Sequence, residues 1–234
     1  MSRGSKFLSA LPIGARDVIE RHLTEVKLRR GQTVAQAYSV LETAYFPKDS
    51  VFSADLPLSN GASFSTGFIG SDGLLGAGMS LDDRVCLYNV SVMVGGFAYV
   101  MPMSRLKELL LKMPELRKRA LAYDQYFLAQ VQQSAACTAL HDLPGRLSSW
   151  LLRVKALAGS KISMTQSEIA LMLGVRRTSV TACMVELQHA GAIESRRGEI
   201  QIVDSKKIRA MACGCQADIS SHYRRLFEVG FDDR

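Results

Sequence analysis

The apolar positions of this chain change period twice before residue 141, and each change marks a boundary. Between residues 5 and 30, Phe7, Leu8 and Leu11 and then Val18, Ile19 and Leu23 recur at helical spacing. Pro12 and Gly14 split that stretch into two predicted helical pieces. From residue 31 to 101 the runs shorten and glycines punctuate them. Ala44–Phe46, Ser50–Phe52, Ser63–Ser65, Val85–Tyr88 and Val90–Val92 are β-rich, which predicts an antiparallel barrel or roll. Pro114 to His141 then carries no glycine and no further proline. There Leu116, Ala120, Tyr123, Phe127 and Val131 fall on one face of a single predicted helix. About 27 residues at 1.5 Å each make a rod of roughly 40 Å, longer than a small roll is wide. Its stripe packs either on its own domain or on a second copy; the expected reading is a homodimer seam through those five residues.

The densest pattern runs from Thr165 to Val203. Thr165 and Glu168 form a predicted capping box, and Ile169, Ala170 and Leu173 give the short helix behind it an apolar face. Gly174 permits a tight turn. A second helix, about 176–190, buries Val180, Cys183, Met184 and Leu187, with Gly191 just past its end. Two β runs, Ala192–Ser195 and Glu199–Val203, flank Arg196-Arg197-Gly198, so a hairpin over about 193–203 follows. Helix, glycine turn, helix and hairpin make a winged helix-turn-helix. The start of the second helix presents Arg176, Arg177, Thr178, Ser179 and Thr181 away from the apolar face. In this motif that end enters the major groove of DNA, where arginine pairs with guanine and threonine meets base edges or the thymine methyl. Arg196 and Arg197 on the wing suit phosphates.

Charge then gains a location. The formal net charge of the 234 residues is +7. Residues 142–213 hold eleven Lys and Arg against six Asp and Glu, whereas residues 1–141 hold fifteen against twelve. The excess therefore concentrates on the winged motif. No eighteen-residue apolar run exists, and the opening MSRGSKFLSALPIGAR has no apolar signal core, so neither a membrane span nor a secretory signal is expected. Five scattered cysteines suit a reducing cytoplasm better than a disulfide framework.

Thr165 to Asp204, TQSEIALMLGVRRTSVTACMVELQHAGAIESRRGEIQIVD, resembles the DNA-binding segment of the cyclic-AMP receptor / fumarate-nitrate regulator (Crp/Fnr) family of bacterial transcription regulators. A weaker likeness covers His22 to Met79, in LRRGQTV, ETAYFPKDSVFS and FIGSDGLLGAGM. The resemblance implies an α+β chain in three parts. Residues 1–113 would be a cyclic-nucleotide-binding-like β jelly roll acting as a sensor, 114–141 a dimerisation helix, and 142–234 a winged helix-turn-helix domain. It also implies a palindromic double-stranded DNA operator and RNA polymerase as partners. By position in the motif, Arg177, Thr178 and Thr181 would touch bases. Thr165, Gln166, Arg176 and Ser179 would lie at the phosphate backbone, with Arg196 and Arg197 on the wing.

The effector end departs from the family pattern. Nucleotide-binding members resemble a Gly-Glu-Leu/Ile-Ala stretch followed by an arginine. Here the matching segment is Gly73-Leu74-Leu75-Gly76, no glutamate lies between Glu42 and Glu108, and Arg84 is followed by Val85-Cys86. An acceptor for ribose hydroxyls is missing, so cyclic AMP is not expected there, and an effector, if present, is another small molecule. The iron–sulfur branch uses N-terminal cysteines, and none precedes Cys86; the haem branch uses a histidine in the roll, and residues 23–140 hold none. Cys213 and Cys215 with His222 offer at most three metal ligands, so no metal and no cofactor are expected. No nucleophile or acid–base constellation stands beside any histidine, so no catalytic site is expected. The competing class is a small-molecule sensor that acts through protein contacts and keeps only vestigial DNA binding; the basic helix start is what such a protein would not need.

Overall fold

A computed structural model describes residues 4–61, 63–78 and 85–227. Two short helices open the chain, α1 (Lys6–Ser9) and α2 (Ile13–Glu20). Ser5 caps the first, its hydroxyl oxygen accepting from the Leu8 N–H at 3.4 Å. Seven strands follow: β1 (Thr24–Leu28), β2 (Thr33–Ala35), β3 (Thr43–Pro47), β4 (Val51–Pro57), β5 (Ser63–Ile69), β6 (Asn89–Val94) and β7 (Gly96–Pro102). They make two antiparallel sheets, ordered β1-β7-β3 and β2-β6-β4-β5. In the first four residues of β3 and of β6 the alternation is plain: Ala44 and Phe46, or Val90 and Val92, are buried while Thr43 and Tyr45, or Asn89 and Ser91, are partly exposed; Pro47 and Met93, which follow, are buried as well.

Two stretches differ from the reading of the sequence. The helical spacing around Leu23 gives way to β1, whose residues pair with β7 from Thr24↔Val100 to Leu28↔Gly96. Sheet pairing overrides a short helical signal there. Val85–Tyr88 is not a strand; Val85 makes a lone bridge to Val40, and Cys86 turns inward to be buried.

Helix α3 (Met103–Lys112) leads into α4 (Pro114–Leu140), which opens on proline in its first turn and closes at His141. Asp142 then caps α5 (Leu143–Ala158), its carboxylate accepting from the Gly145 N–H at 3.1 Å. The remaining elements are β8 (Lys161–Ile162), α6 (Gln166–Leu173), α7 (Arg177–His189), β9 (Ile193–Arg196), β10 (Glu199–Ile202), α8 (Ser205–Met211) and α9 (Cys215–Phe227). No described helix is long and apolar enough to cross a membrane.

Two hydrophobic cores form. One joins the roll, α1 and the first half of α4; the other joins α5, α6, α7 and the small sheet β8-β10-β9. The second core also takes in Val51, Phe68 and Met93 from the roll, and Phe68 meets Trp150 edge-on at 6.3 Å. The winged domain therefore leans on its own roll. Helix α9, grouped with residues 142–234 in the sequence reading, lies along α4 and packs Ile219, Tyr223, Leu226 and Phe227 against the roll core.

The predicted seam on α4 faces inward. Leu116, Ala120 and Tyr123 are buried in the chain's own core, Phe127 packs against Tyr88, and Val131 is half-buried. The stripe found its partner within the chain: Phe7 and Tyr126 surround the Tyr123 ring. The face left to solvent carries Leu121 (47% exposed) and Leu128 (56% exposed), with exposed Ala135 one further step of seven along.

Candidate nucleic-acid interface

The capping box forms as its spacing predicts. The Thr165 hydroxyl accepts from the Glu168 N–H at 3.3 Å, and the Glu168 carboxylate accepts from the Thr165 N–H at 2.7 Å. Burial works to raise the Glu168 carboxyl, but bonds from Thr165 and from Arg30 outweigh it and hold the group below the usual carboxylate range. Arg30 belongs to the turn between β1 and β2, so this ion pair ties the first turn of α6 to the roll. Only the fold brings these residues together, 138 positions apart, and no local pattern could have announced it.

Gly174 ends α6 at φ +65°, a left-handed conformation that favours glycine. A side chain there would also press on the Phe64 ring, 3.1 Å from where its Cβ would sit. The turn lets α7 begin at Arg177 with Arg176 as its N-cap. Arg176 supplies no side-chain cap, so the first N–H groups of α7 keep their capacity for an anion. Val180, Cys183, Met184 and Leu187 are buried as the helical spacing predicts, and burial pushes the Cys183 thiol up.

Arg176, Arg177 and Thr178 project into solvent from the start of α7, and Ser179 is half-buried beside them. Thr181 is constrained: its hydroxyl lies 2.6 Å from Gln166 Oε1 and 3.0 Å from the Arg177 carbonyl. It joins α7 to α6 in this arrangement. On the wing, β9 and β10 pair Arg196 with Glu199 across a turn closed by Gly198 at φ +74°. Arg196 and Arg197 are both exposed. A hollow of about 540 Å³ between α6, α7 and the wing is lined by Thr165, Gln166, Arg177, Arg196 and Arg197. It also gathers Ser167, Gln188 and Ser195, hydrogen-bonding side chains that sequence reasoning passed over. Arg176, Thr178, Ser179 and Thr181 do not line it.

The folded chain also edits the charge count. Arg146 spends its guanidinium on the last turn of α6, donating to the Leu173 carbonyl at 2.7 Å. Arg153 is buried against Asp72. The cations left at the surface around α7 and the wing are therefore a larger share of the domain's usable field than the count suggests.

The segment expected to hold an effector is packed solid. Gly73, Leu74, Leu75 and Gly76 are all buried, and a Cβ on Gly73 would fall 2.1 Å from the Tyr123 hydroxyl oxygen. Gly76 adopts φ +113° beneath Met103 and Leu41. Arg84, the stand-in for the phosphate arginine, lies outside the described residues.

Residues 145–211 match the Crp-like helix-turn-helix domain. Solved structures share the fold over most of the chain. FixK2 from Bradyrhizobium japonicum superposes with a TM-score of 0.69 at 14% identity, covering 82% of this chain and 98% of that one. The c-di-GMP responsive global regulator CLP of Xanthomonas campestris gives 0.66 at 14% identity, covering 82% and 99%. A CRP-family transcriptional regulator from Thermus thermophilus, TTHB099, gives 0.65 at 17% identity, covering 80% and 96%. No curated protein sequence matches the chain.

Proposed function

We propose that the chain, whose residues 145–211 match the Crp-like helix-turn-helix domain and whose fold is shared by solved regulators, is a DNA-binding transcription regulator of the Crp/Fnr family and acts as a homodimer which reads an imperfect palindrome. In this reading α7 enters the major groove and the wing holds the backbone. The observation that carries it is the hollow between α6, α7 and the wing, where a capped helix start, Arg177 and two wing arginines face one space. A groove lined by guanidinium and hydroxyl groups matches base edges flanked by phosphates. Arg177 and Thr178 read bases from the exposed helix start. Thr181, held by Gln166, acts first by fixing α7 against α6 and reaches a base only by exchanging that bond. Thr165, Gln166, Arg176, Ser179, Arg196 and Arg197 set the register on phosphates.

Dimerisation runs through the exposed face of α4, Leu121, Leu128 and Ala135, rather than through the buried stripe. Two copies would then present their α7 helices about 34 Å apart, one turn of the duplex, on one side of the DNA. The roll is the sensing part, its effector a small molecule that does not rely on ribose recognition by a glutamate. RNA polymerase is the further partner.

The test separates base reading from phosphate contact. After binding sites are selected from random DNA, Arg177→Ala is expected to cost ~1–3 kcal/mol at one base position of the half-site and to relax the choice there. Arg197→Ala is expected to weaken all sequences alike and to lower the slope of affinity against salt by about one. Binding by both variants that is indistinguishable from the parent in sequence choice and salt slope removes this assignment.

A further inference from the structure

The last turn of α4 and the link from α8 to α9 bring four ligand atoms together. Cys137, His141, Cys213 and Cys215 place their thiol sulfurs and one imidazole nitrogen all within 4.8 Å of one another. Cys137 Sγ lies 3.6 Å from Cys213 Sγ, and Cys215 Sγ lies 3.4 Å from His141 Nδ1. The sequence alone offers Cys213 and Cys215 with His222 as a third. The fold instead supplies Cys137 and His141, an i, i+4 pair whose side chains leave α4 on one side, and His222 is not in the group.

The 3.6 Å and 3.4 Å spacings fit one ion, and a small closing movement of the remaining pairs, all within 4.8 Å, completes the site. Zinc bonds of about 2.3 Å to sulfur and about 2.0 Å to nitrogen, set at tetrahedral angles, separate two sulfurs by about 3.8 Å and a sulfur from a nitrogen by about 3.6 Å. Three cysteines and a histidine are also a donor set that soft thiolate chemistry selects for zinc. An iron–sulfur cluster spreads its thiolates over several iron atoms and needs them farther apart than this. The surroundings hold the donors in place. The Cys213 N–H donates to the Gly145 carbonyl at 3.1 Å, and a side chain at Gly145 would sit 3.3 Å from the Cys213 nitrogen. Cys215 is buried, Cys137 and Cys213 are half-buried, and His141 is exposed, which leaves an entry path on the imidazole side.

We propose that Cys137, His141, Cys213 and Cys215 form a tetrahedral site for a single soft divalent ion of the zinc class. The site straddles the joint between α4 and α5 at His141–Asp142, so an ion there clasps the long helix to the segment that enters α9. Loading and unloading the ion shifts the preferred angle of the winged domain. That last step rests on the DNA-binding reading given above; the site itself does not.

Cobalt(II) titration of the full chain, stripped of metal and kept reduced and anaerobic, tests the site without DNA. The expected result is the intense visible absorption of tetrahedral thiolate-bound cobalt, saturating at one ion per chain and abolished by one equivalent of zinc. Cys213→Ser and Cys137→Ser should lose that spectrum, and His141→Ala should weaken binding at least tenfold. Cys86→Ser, a buried thiol in the roll, should retain it. Circular dichroism checks each variant's fold, and three separate ligand variants keep the result readable if one fails to fold. A six-coordinate cobalt spectrum overturns the proposal. So does a tetrahedral one untouched by Cys213→Ser and His141→Ala, or anaerobic protein that carries iron and sulfide in place of one zinc. A Cys137–Cys213 disulfide that forms equally fast with and without excess zinc also counts against it. DNA affinity compared with and without zinc then reads the coupling alone.

Discussion

Arg153→Ala is expected to destabilise the protein by about 3–5 kcal/mol, the cost of leaving one member of a buried ion pair without its partner. Arg153 on α5 and Asp72 ahead of the Gly73 segment are both more than nine-tenths buried, with Nη2 3.5 Å from Oδ2. The same guanidinium group donates to Gln130 of α4 at 3.2 Å and stands 5.8 Å from the centre of the Tyr126 ring. Burial alone would lower the Arg153 pKa; the Asp72 carboxylate outweighs it, with help from Tyr126 and Tyr123, and keeps the side chain charged. Removing it strands a carboxylate where roll, α4 and α5 meet. Urea unfolding midpoints measure the loss. The paired change Arg153→Met with Asp72→Asn should recover much of it, because the stranded charge then disappears. A double variant no more stable than Arg153→Ala would show that the loss came from packing rather than charge.

Leu121→Asp combined with Leu128→Asp is expected to split the dimer and lower operator affinity by about 10²-fold or more, the advantage of holding two reading heads together. Both side chains lie on the solvent face of α4, where the proposed homodimer would bury them, and the change leaves the monomer core intact. Analytical ultracentrifugation reads the mass, and circular dichroism the fold. Tyr123→Asp supplies the contrast. It sits on the inward face, and its replacement should unfold the roll rather than release a folded monomer. A dimer that survives the double change would move the seam off this helix.

The two halves of the molecule differ in how much their sequence discloses. From Thr165 to Ile202 every element is announced by local chemistry: a capping box, a left-handed glycine, a buried i, i+3, i+4, i+7 set and a basic hairpin turn. Each acts over fewer than ten residues, and tertiary context does not overrule it. The roll is less legible because pairing partners such as Thr24 and Val100 are remote, and a half-buried strand carries a weak period. The pattern predicts the extent of α4 but assigns its inward face to a seam. A stripe specifies that something covers it, not whether the cover is the same chain. Cys137 and His141 escape a reading of the sequence for the same reason as Arg30: their partners are 76, 74 and 138 residues away.

The tight seat of Tyr123 over Gly73 has a mechanical consequence. Interiors packed at crystal-like density do not yield in small increments, so a guest wedged beneath that ring could be admitted only by lifting the rod that carries it. The reverse side of the rod bears Leu121 and Leu128, and its far end bears the joint to the reading head. A push at mid-length would therefore be delivered in two directions at once, across to a neighbouring copy and down to the wing, with no separate relay between them.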